Sequence, residues 1–381
     1  MKISRVETFM VAPRWLFVRI ETDDGIIGWG EPALEGFVEI VRTAVHHLAE
    51  WLIGKDPLQI ERHWQVLTKS GMYRGGPVLS SAVAGVDQAL WDIAGKALGA
   101  PVHVLLGGPV RDRVRMYGWV GGDEPAAIEE AVAAKVDEGF TAVKMNASGQ
   151  MSTSPTVRDL EGVAERLAIA RDVLGPDRDV AIDFHGRFTA GGAIRALQVM
   201  EEYTPMFAEE PVLPEHTHLL SDVASSTSIP IATGERLYAR HEFLPALQAG
   251  IRIAQPDLSH AGGISEVRKI AALAETFDVH VAPHCPLGPI ALAACLQIAL
   301  ATQNHLIQEM SLGIHYNEGL ELLDYLIDPE PFRLQDGYIE RLTGPGLGLQ
   351  IDEAAVRAAD RKGHSWRPPV WFHEDGSHAE W

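Results

Sequence analysis

The sequence predicts an α/β protein, a TIM-like (β/α) barrel of about 200 residues with an α+β unit on its amino-terminal side. Three observations carry that expectation. After "GGPVRDRV" (107–114) short apolar runs recur eight times, separated by polar or glycine-rich loops and stretches of helical periodicity, the beat of parallel strands joined by crossovers. Before it, strand-like alternation gives way to helical spacing, strands followed by helices, as in an α+β unit. Finally, 381 residues exceed what one core usually serves, so a barrel with an accessory unit fits the length.

The first 35 or so residues read as a meander of VETFMVAP (6–13), WLFVRIET (15–22) and IIGWGEP (26–32), with Asp23-Asp24-Gly25 turning the chain between the last two. DPLQIERHWQVL (56–67) and SSAVAGVDQALWDIAGKALG (80–99) have amphipathic helical spacing, and Gly99 and Pro101 stop the second. The barrel strands are RMYGWV (115–120), TAVKMN (141–146), DVAIDFH (179–185), PMFAEEP (205–211), IPIATGE (229–235), IRIAQPD (251–257), VHVAPH (279–284) and LIQEM (306–310). Helical stretches at 125–140, 160–175, 191–203, 264–277 and 289–301 lie between them. A Gly-rich dinucleotide fingerprint is missing after the first of these strands, which favours a closed barrel over an open nucleotide-binding sheet. The tail adds no further strand–helix beat. Its aromatic-rich end, RPPVWFHEDGSHAEW (367–381), should pack back on the amino-terminal unit. The expected division is therefore a capping unit over 1–112, a barrel over 113–318 and a tail over 319–381.

Barrel strands deliver their last residues to one mouth, where chemistry is placed. Strands three, four and five end at or near Asp183, Glu209 and Glu235, and each step is 26 residues, one strand–helix unit. Three convergent carboxylates repel one another unless a cation joins them or some take up protons. All-oxygen ligation suits Mg²⁺ or Mn²⁺ over zinc, and both cysteines lie elsewhere, so Asp183, Glu209 and Glu235 are the expected ligands of such an ion, Mg²⁺ first. The beat continues: Lys144 and Asn146 share a face at the end of strand two, Asp257 ends strand six, His284 strand seven and Glu309 strand eight. His185 follows Asp183 by two residues and looks the same way.

Composition narrows the partners. The net charge of −20 repels nucleic acid and anionic membranes, and a basic patch to offset it is lacking. It repels an acidic substrate too, so a site for one must supply its own positive charge. No run of 18 apolar residues could span a bilayer, the first residues lack a signal-peptide core, and the two cysteines, Cys285 and Cys295, read as buried thiols. A cytoplasmic protein is the expectation.

The set Lys144-x-Asn146, Asp183-x-His185, Glu209-Glu210-Pro211, Gly234-Glu235, Gln255-Pro256-Asp257, His284 and Glu309 resembles the enolase superfamily, in its mandelate racemase-like branch. GWVGGD (118–123), QPDLSHAGGI (255–264), APHCPLGPIALAACL (282–296), GIHYN (313–317) and HEDGSHAEW (373–381) extend the likeness, to the acid-sugar dehydratases, over essentially the whole chain. The resemblance implies a (β/α)7β barrel under an α+β capping domain, a small acid-sugar substrate, and a homo-oligomer. It also implies loss of water from a 2,3-dihydroxy acid to give a 2-keto-3-deoxy acid. In that chemistry His284, oriented by Asp257, is the candidate base at C2, and His185 the candidate acid for the departing 3-hydroxyl. Lys144 and the metal would stabilise the developing enolate, which Glu309 would meet at an oxygen. Where racemases of this branch carry a second Lys on strand two, this chain has Asn146, which disfavours two-sided racemisation. An epimerase, or a dehydratase for another acid sugar such as gluconate, is the rival expectation; a non-catalytic barrel is another. Cap loops at APRW (12–15) and GMYRGGP (71–77), with Arg14, Tyr73 and Arg74, are where such substrates would be told apart.

Overall fold

The structure is a computed structural model that describes residues 1–121, 125–150, 153–314, 317 and 319–380, with 125 and 126 by backbone alone. Gly122, Asp123, His315, Tyr316 and Trp381 of the motifs above, and Glu318 at the expected end of the barrel, lie outside the described residues.

The chain opens with an antiparallel meander, β1 (Ile3–Val11), β2 (Trp15–Thr22) and β3 (Ile27–Gly30), in which Val11 pairs with Trp15 across the first turn. Three helices follow: α1 (Val38–Leu52), α2 (Ile60–Lys69) and α3 (Pro77–Leu98). α3 starts on a proline whose missing N–H is no loss there, and ends on Gly99 at φ +64°, a left-handed cap that glycine adopts without strain. It lies flat on β3 because Gly30 and Gly85 face each other; a Cβ on Gly30 would fall inside the Gly85 carbonyl. The buried face of α3 and the inner face of β2 share one apolar core, including Leu16, Val18, Ile20, Val86 and Ile93.

A single turn α4 (Val102–Leu105) leads into the barrel. Its strands are β4 (Arg113–Val120), β5 (Ala142–Asn146), β6 (Asp179–Asp183), β7 (Ala208–Glu209), β8 (Ile231–Thr233), β9 (Ile253–Ala254), β10 (His280–Val281) and β11 (Gln308–Met310). The helices between them are α5 (Pro125–Asp137), α6 (Val157–Leu174), α7 (Ala190–Met200), α8 (Leu220–Ser225), α9 (Arg240–Gln248), α10 (Gly263–Thr276) and α11 (Pro289–Ala301). All neighbours pair in parallel in the order β10-β9-β8-β7-β6-β5-β4-β11. A bridge between Val281 and His305, with the Leu306 N–H donating to the Val281 carbonyl at 2.9 Å, joins β10 to the approach of β11 and closes the ring. The expected barrel with an α+β cap is thus what the chain forms.

Several strands are shorter than their apolar runs. Pro211, Pro256 and Pro283 stand just beyond β7, β9 and β10, where a residue without an N–H cannot extend the ladder. Beyond β8, Gly234 at φ +146° turns the chain away. α9 escaped the sequence reading because Pro245 sits inside it, and α8 because it is only six residues long.

Each strand sends one apolar side chain into the barrel at a common level: Tyr117, Ala142, Ala181, Phe207, Ala232, Ile253, Ala282 and Ile307. This dry layer is the floor of the site. In the tail, β12 (Tyr338–Glu340) pairs antiparallel with β4, and α12 (Glu353–Lys362) lies on β1, where Arg357 meets Glu7 at 2.9 Å. A last hairpin, β13 (Trp371–Phe372) with β14 (His378–Ala379), reaches back to the barrel, Trp371 stacking under the Arg187 guanidinium at 5.0 Å. The tail therefore touches both units.

Candidate active site

Two residues above the floor, the same strands carry Trp119, Lys144, Asp183, Glu209, Gln255, His284 and Glu309. Strand periodicity, carried one to three residues past the short strands β9 and β10, produces this second layer. The ladder puts Asn146 opposite Asp183 and Asp183 opposite Glu209, so the first two acids stand side by side.

Lys144 is the hub. Its ammonium, fully buried, donates to Glu209 Oε1 and Oε2 at 2.8 and 2.9 Å and lies 3.1 Å from Glu309 Oε1 and 3.4 Å from Asp183 Oδ2. Burial opposes its charge, but the carboxylates of Glu209 and Glu309 hold its pKa well above the usual lysine value. Burial, reinforced by the charges of Asp183, Glu309 and Glu235, pushes the Glu209 carboxyl well above the usual range despite Lys144. For Asp183 burial is outweighed by His185 and Lys144, and its carboxyl sits well below that range. Asp183, Glu209 and Glu235 each present an oxygen within 4.8 Å of the other two, an acidic cluster that could hold a metal ion. The donor set fits a hard cation: every donor is oxygen, and Asp183 Oδ2, buried, makes no hydrogen bond among the described residues, facing the Lys144 and His185 nitrogens at 3.4 and 3.1 Å.

Asp183 and His185 hold each other at the end of β6. The Asp183 Oδ1 accepts the His185 N–H at 2.9 Å, the backbone turns to φ +49° at His185, and the ring is swung over Trp119, 5.9 Å between centroids. Its Nε2 then lies 3.1 Å from Asp183 Oδ2. Glu210, beside Glu209, points away from the barrel axis. It accepts from Thr233 Oγ1 at 2.6 Å, the Gly234 N–H at 2.9 Å and Arg236 at 2.6 Å, which fixes the turn that delivers Glu235.

On the other side, His284 Nδ1 meets Asp257 Oδ2 at 2.8 Å and its Nε2 lies 3.1 Å from Glu235 Oε2. Burial favours the neutral ring, yet Glu235, Glu309 and Asp257 together hold its pKa well above the ordinary histidine value. The Cys285 N–H donates to Glu309 Oε2 at 2.6 Å, fixing the other oxygen toward Lys144. Cys285 and Cys295 are free and buried.

These groups surround a cavity of about 270 Å³, with Lys144, Asp183, His185, Glu235, His284 and Glu309 on its wall. Glu209 and Asp257 stand behind Lys144 and His284, and Asn146, whose Oδ1 is buried without a partner among the described residues, is not on the wall. Of the cap candidates, Arg14 lines the cavity, donating to the Pro286 carbonyl at 2.9 Å. Tyr73, 88% exposed, and Arg74 line a separate groove that, among the described residues, shares only Tyr238 with the cavity.

Sequence reasoning passed over Trp119, Glu35 and His260 on the cavity wall. Trp119 was within reach of the period-two rule on the first strand. Glu35 comes from the cap and was not, since it meets His260 only through long-range packing: 3.5 Å between Oε2 and Nε2. Burial is outweighed at both, Glu35 being held at about 2 by His260 and Arg14, and His260 pushed up to about 9 by Asp257 and Glu35.

The mandelate racemase / muconate lactonizing enzyme amino-terminal domain matches residues 4–107, and the enolase carboxyl-terminal domain-like family matches 126–355. The chain is 52% identical over 382 aligned residues, covering both chains completely, to D-galactonate dehydratases of Variovorax paradoxus (strain S110) and Xanthomonas oryzae pv. oryzae (strain PXO99A). Among solved structures it resembles an enolase from Agrobacterium radiobacter with Na and L-malate bound, at TM-score 0.92, 34% identity and complete coverage of both chains. A mandelate racemase/muconate lactonizing enzyme from Jannaschia sp. CCS1 superposes with TM-score 0.88 at 35% identity, over 97% of this chain and 100% of that one. Fold, site and likeness agree that the chain belongs to the enolase superfamily, in its mandelate racemase / muconate lactonizing enzyme family.

Proposed function

We propose that the protein is a hydro-lyase that removes water from D-galactonate to give 2-keto-3-deoxygalactonate. The observation that supports this most is the placement of two imidazoles on opposite sides of one acid cluster, His185 beside β6 and His284 beside β10, both on the cavity wall. One can take a proton from one carbon while the other gives a proton to a group leaving the next. Full-length likeness to D-galactonate dehydratases selects the substrate.

Asp183, Glu209 and Glu235 would hold one Mg²⁺, which supplies the positive charge that makes a hydrogen beside a carboxylate removable. Pairing such an ion with a Lys or His base is general to enolase-superfamily sites. Lys144, positive and buried, attracts the substrate carboxylate and favours negative charge developing at its oxygens. His284 accepts the C2 proton on the nitrogen facing the cavity, while Asp257 grips the other and fixes the ring. His185 gives a proton to the 3-hydroxyl as the C–O bond breaks. Glu309, tied to Cys285, borders the oxygens on which charge collects. Asn146, the other expected substrate contact, does not line the cavity and would bear on the substrate only indirectly. The proposal includes the division into cap (1–112), barrel (113–318) and tail (319–381), cytoplasmic residence, which suits two free thiols, and a homo-oligomer. No helix among the described residues is long and apolar enough to cross a membrane.

The test is incubation with a panel of acid sugars in deuterated solvent with Mg²⁺, following 2-keto-3-deoxy product and C2 deuteration. Galactonate should be consumed first. Faster turnover of another acid sugar, or C2 exchange with epimerisation and no dehydration, would displace the proposal.

A further inference from the structure

His260 has no part in the chemistry above, yet it completes a second group of metal-ligating side chains. We propose that Asp257, His260 and His284 form a second cation site, selective for Zn²⁺, whose occupation shuts the enzyme down. Each offers one ligand atom, and the three lie within 4.8 Å of one another. Asp257 Oδ2 is the common partner, 2.8 Å from His284 Nδ1 and 3.8 Å from His260 Nδ1. The other oxygen is already engaged, Oδ1 accepting the Ser259 N–H at 2.6 Å, which leaves Oδ2 for an ion.

The far side of each ring provides an independent argument. Zinc-bound histidines usually pass their second N–H to a carboxylate, which fixes tautomer and ring plane. A carboxylate stands near the far nitrogen of each ring: His260 Nε2 is 3.5 Å from Glu35 Oε2, within ion-pair range and not hydrogen-bonded, and His284 Nε2 is 3.1 Å from Glu235 Oε2. Two imidazoles thus turn their Nδ1 atoms to one carboxylate oxygen and their Nε2 atoms to outer carboxylates, over ring centroids 6.3 Å apart. Two nitrogens and an oxygen suit Zn²⁺, with a fourth position left to water; the three carboxylates of the neighbouring cluster suit Mg²⁺. Donor chemistry therefore sorts the two ions within one mouth. A zinc ion on Oδ2 and both Nδ1 atoms separates His284 from Asp257 and fixes charge beside the base, which stops proton removal.

The inhibition rests on the dehydratase reading; the binding does not. Equilibrium dialysis of the Mg²⁺-saturated enzyme against Zn²⁺ should give one zinc per chain with magnesium retained. His260→Gln and His260→Ala should both lose the zinc and keep the magnesium, with thermal melting reporting that each variant is folded. Co²⁺ in place of zinc should give visible absorption of a four-coordinate ion in the wild type and not in His260→Gln. Glu35→Gln, which removes an outer carboxylate only, should weaken zinc by roughly 10–100-fold. Zinc should suppress C2–H exchange in the wild type at concentrations that leave His260→Gln at its own zinc-free rate. One-for-one displacement of magnesium by zinc, or uptake unchanged in both His260 variants, overturns the site. Wild-type enzyme inert toward every acid sugar overturns the dehydratase reading and leaves the dialysis result standing.

Discussion

The floor of the barrel and the rim two residues above it are built on the same eight strands and differ almost completely in chemistry. Below lie Tyr117, Phe207, Ile253, Ile307 and four alanines, all buried and apolar; above lie Lys144, Asp183, Glu209 and Glu309, buried, with His284 half-buried beside them, all charged or ionisable. A buried aromatic or aliphatic side chain contributes roughly 1.5–3 kcal/mol to folding, whereas each buried charge costs several unless paired. The floor therefore stabilises, and the rim is tolerated because Lys144 ties its acids together. Substitutions should separate the two.

Glu209→Gln at the rim is expected to have the largest effect on turnover. It removes an acid of the cation cluster and should cost roughly a thousand-fold or more, the several kcal/mol a bound ion supplies, with weaker Mg²⁺ binding. Gln keeps the side chain's shape and one oxygen to accept from Lys144, so melting temperature should fall less than in a floor truncation. A fall in melting temperature matching that of a floor truncation would break the comparison.

Next comes His284→Asn, expected to cost roughly 10²–10⁴-fold and to abolish both dehydration and C2–H exchange, read by NMR in deuterated solvent. His185→Asn should be milder, about 10²-fold on elimination, with C2 exchange surviving. A substrate with fluoride at C3, which leaves without a proton, should partly rescue His185→Asn and not His284→Asn. The reverse pattern would exchange the two roles.

Phe207→Ala sharpens the comparison from below. Emptying that floor position should cost roughly 3–5 kcal/mol in denaturant melts and change turnover per folded molecule only a few-fold. A loss of activity as deep as that of His284→Asn would show that floor and rim are not separable.

The smallest effect on turnover is expected at Glu31, whose carboxylate accepts from the Gly288 and Ala291 N–H groups at 2.7 and 2.9 Å. Burial raises its pKa from 4.5 to about 8, so the folded state resists ionising it. Stability from this group is full below pH 4.5 and lost as pH rises toward about 8. Glu31→Gln should flatten that decline in melting temperature; an unchanged slope would assign it to other groups.

The rim was readable because its signals are local. A period of two within a strand and a 26-residue spacing between strands place Asp183, Glu209 and Glu235 without reference to the rest of the chain. Glu35 beside His260 depends on how cap packs on barrel, for which no local pattern exists. α9 was hidden by Pro245, a residue whose ordinary meaning is the end of a helix. Tyr73 and Arg74 carried the right residue types in a loop that faces the groove instead of the cavity.

Proline at the end of three barrel strands has a historical consequence. Once the ladder stops at Pro211, Pro256 or Pro283, the neighbouring rim residue no longer answers to strand pairing, so its identity can drift without disturbing register. Descendants of such a chain could try new side chains at positions 257 and 284 while inheriting the floor unchanged. Mutational tolerance measured across this mouth should rise abruptly past each proline, wherever selection for the present substrate is relaxed.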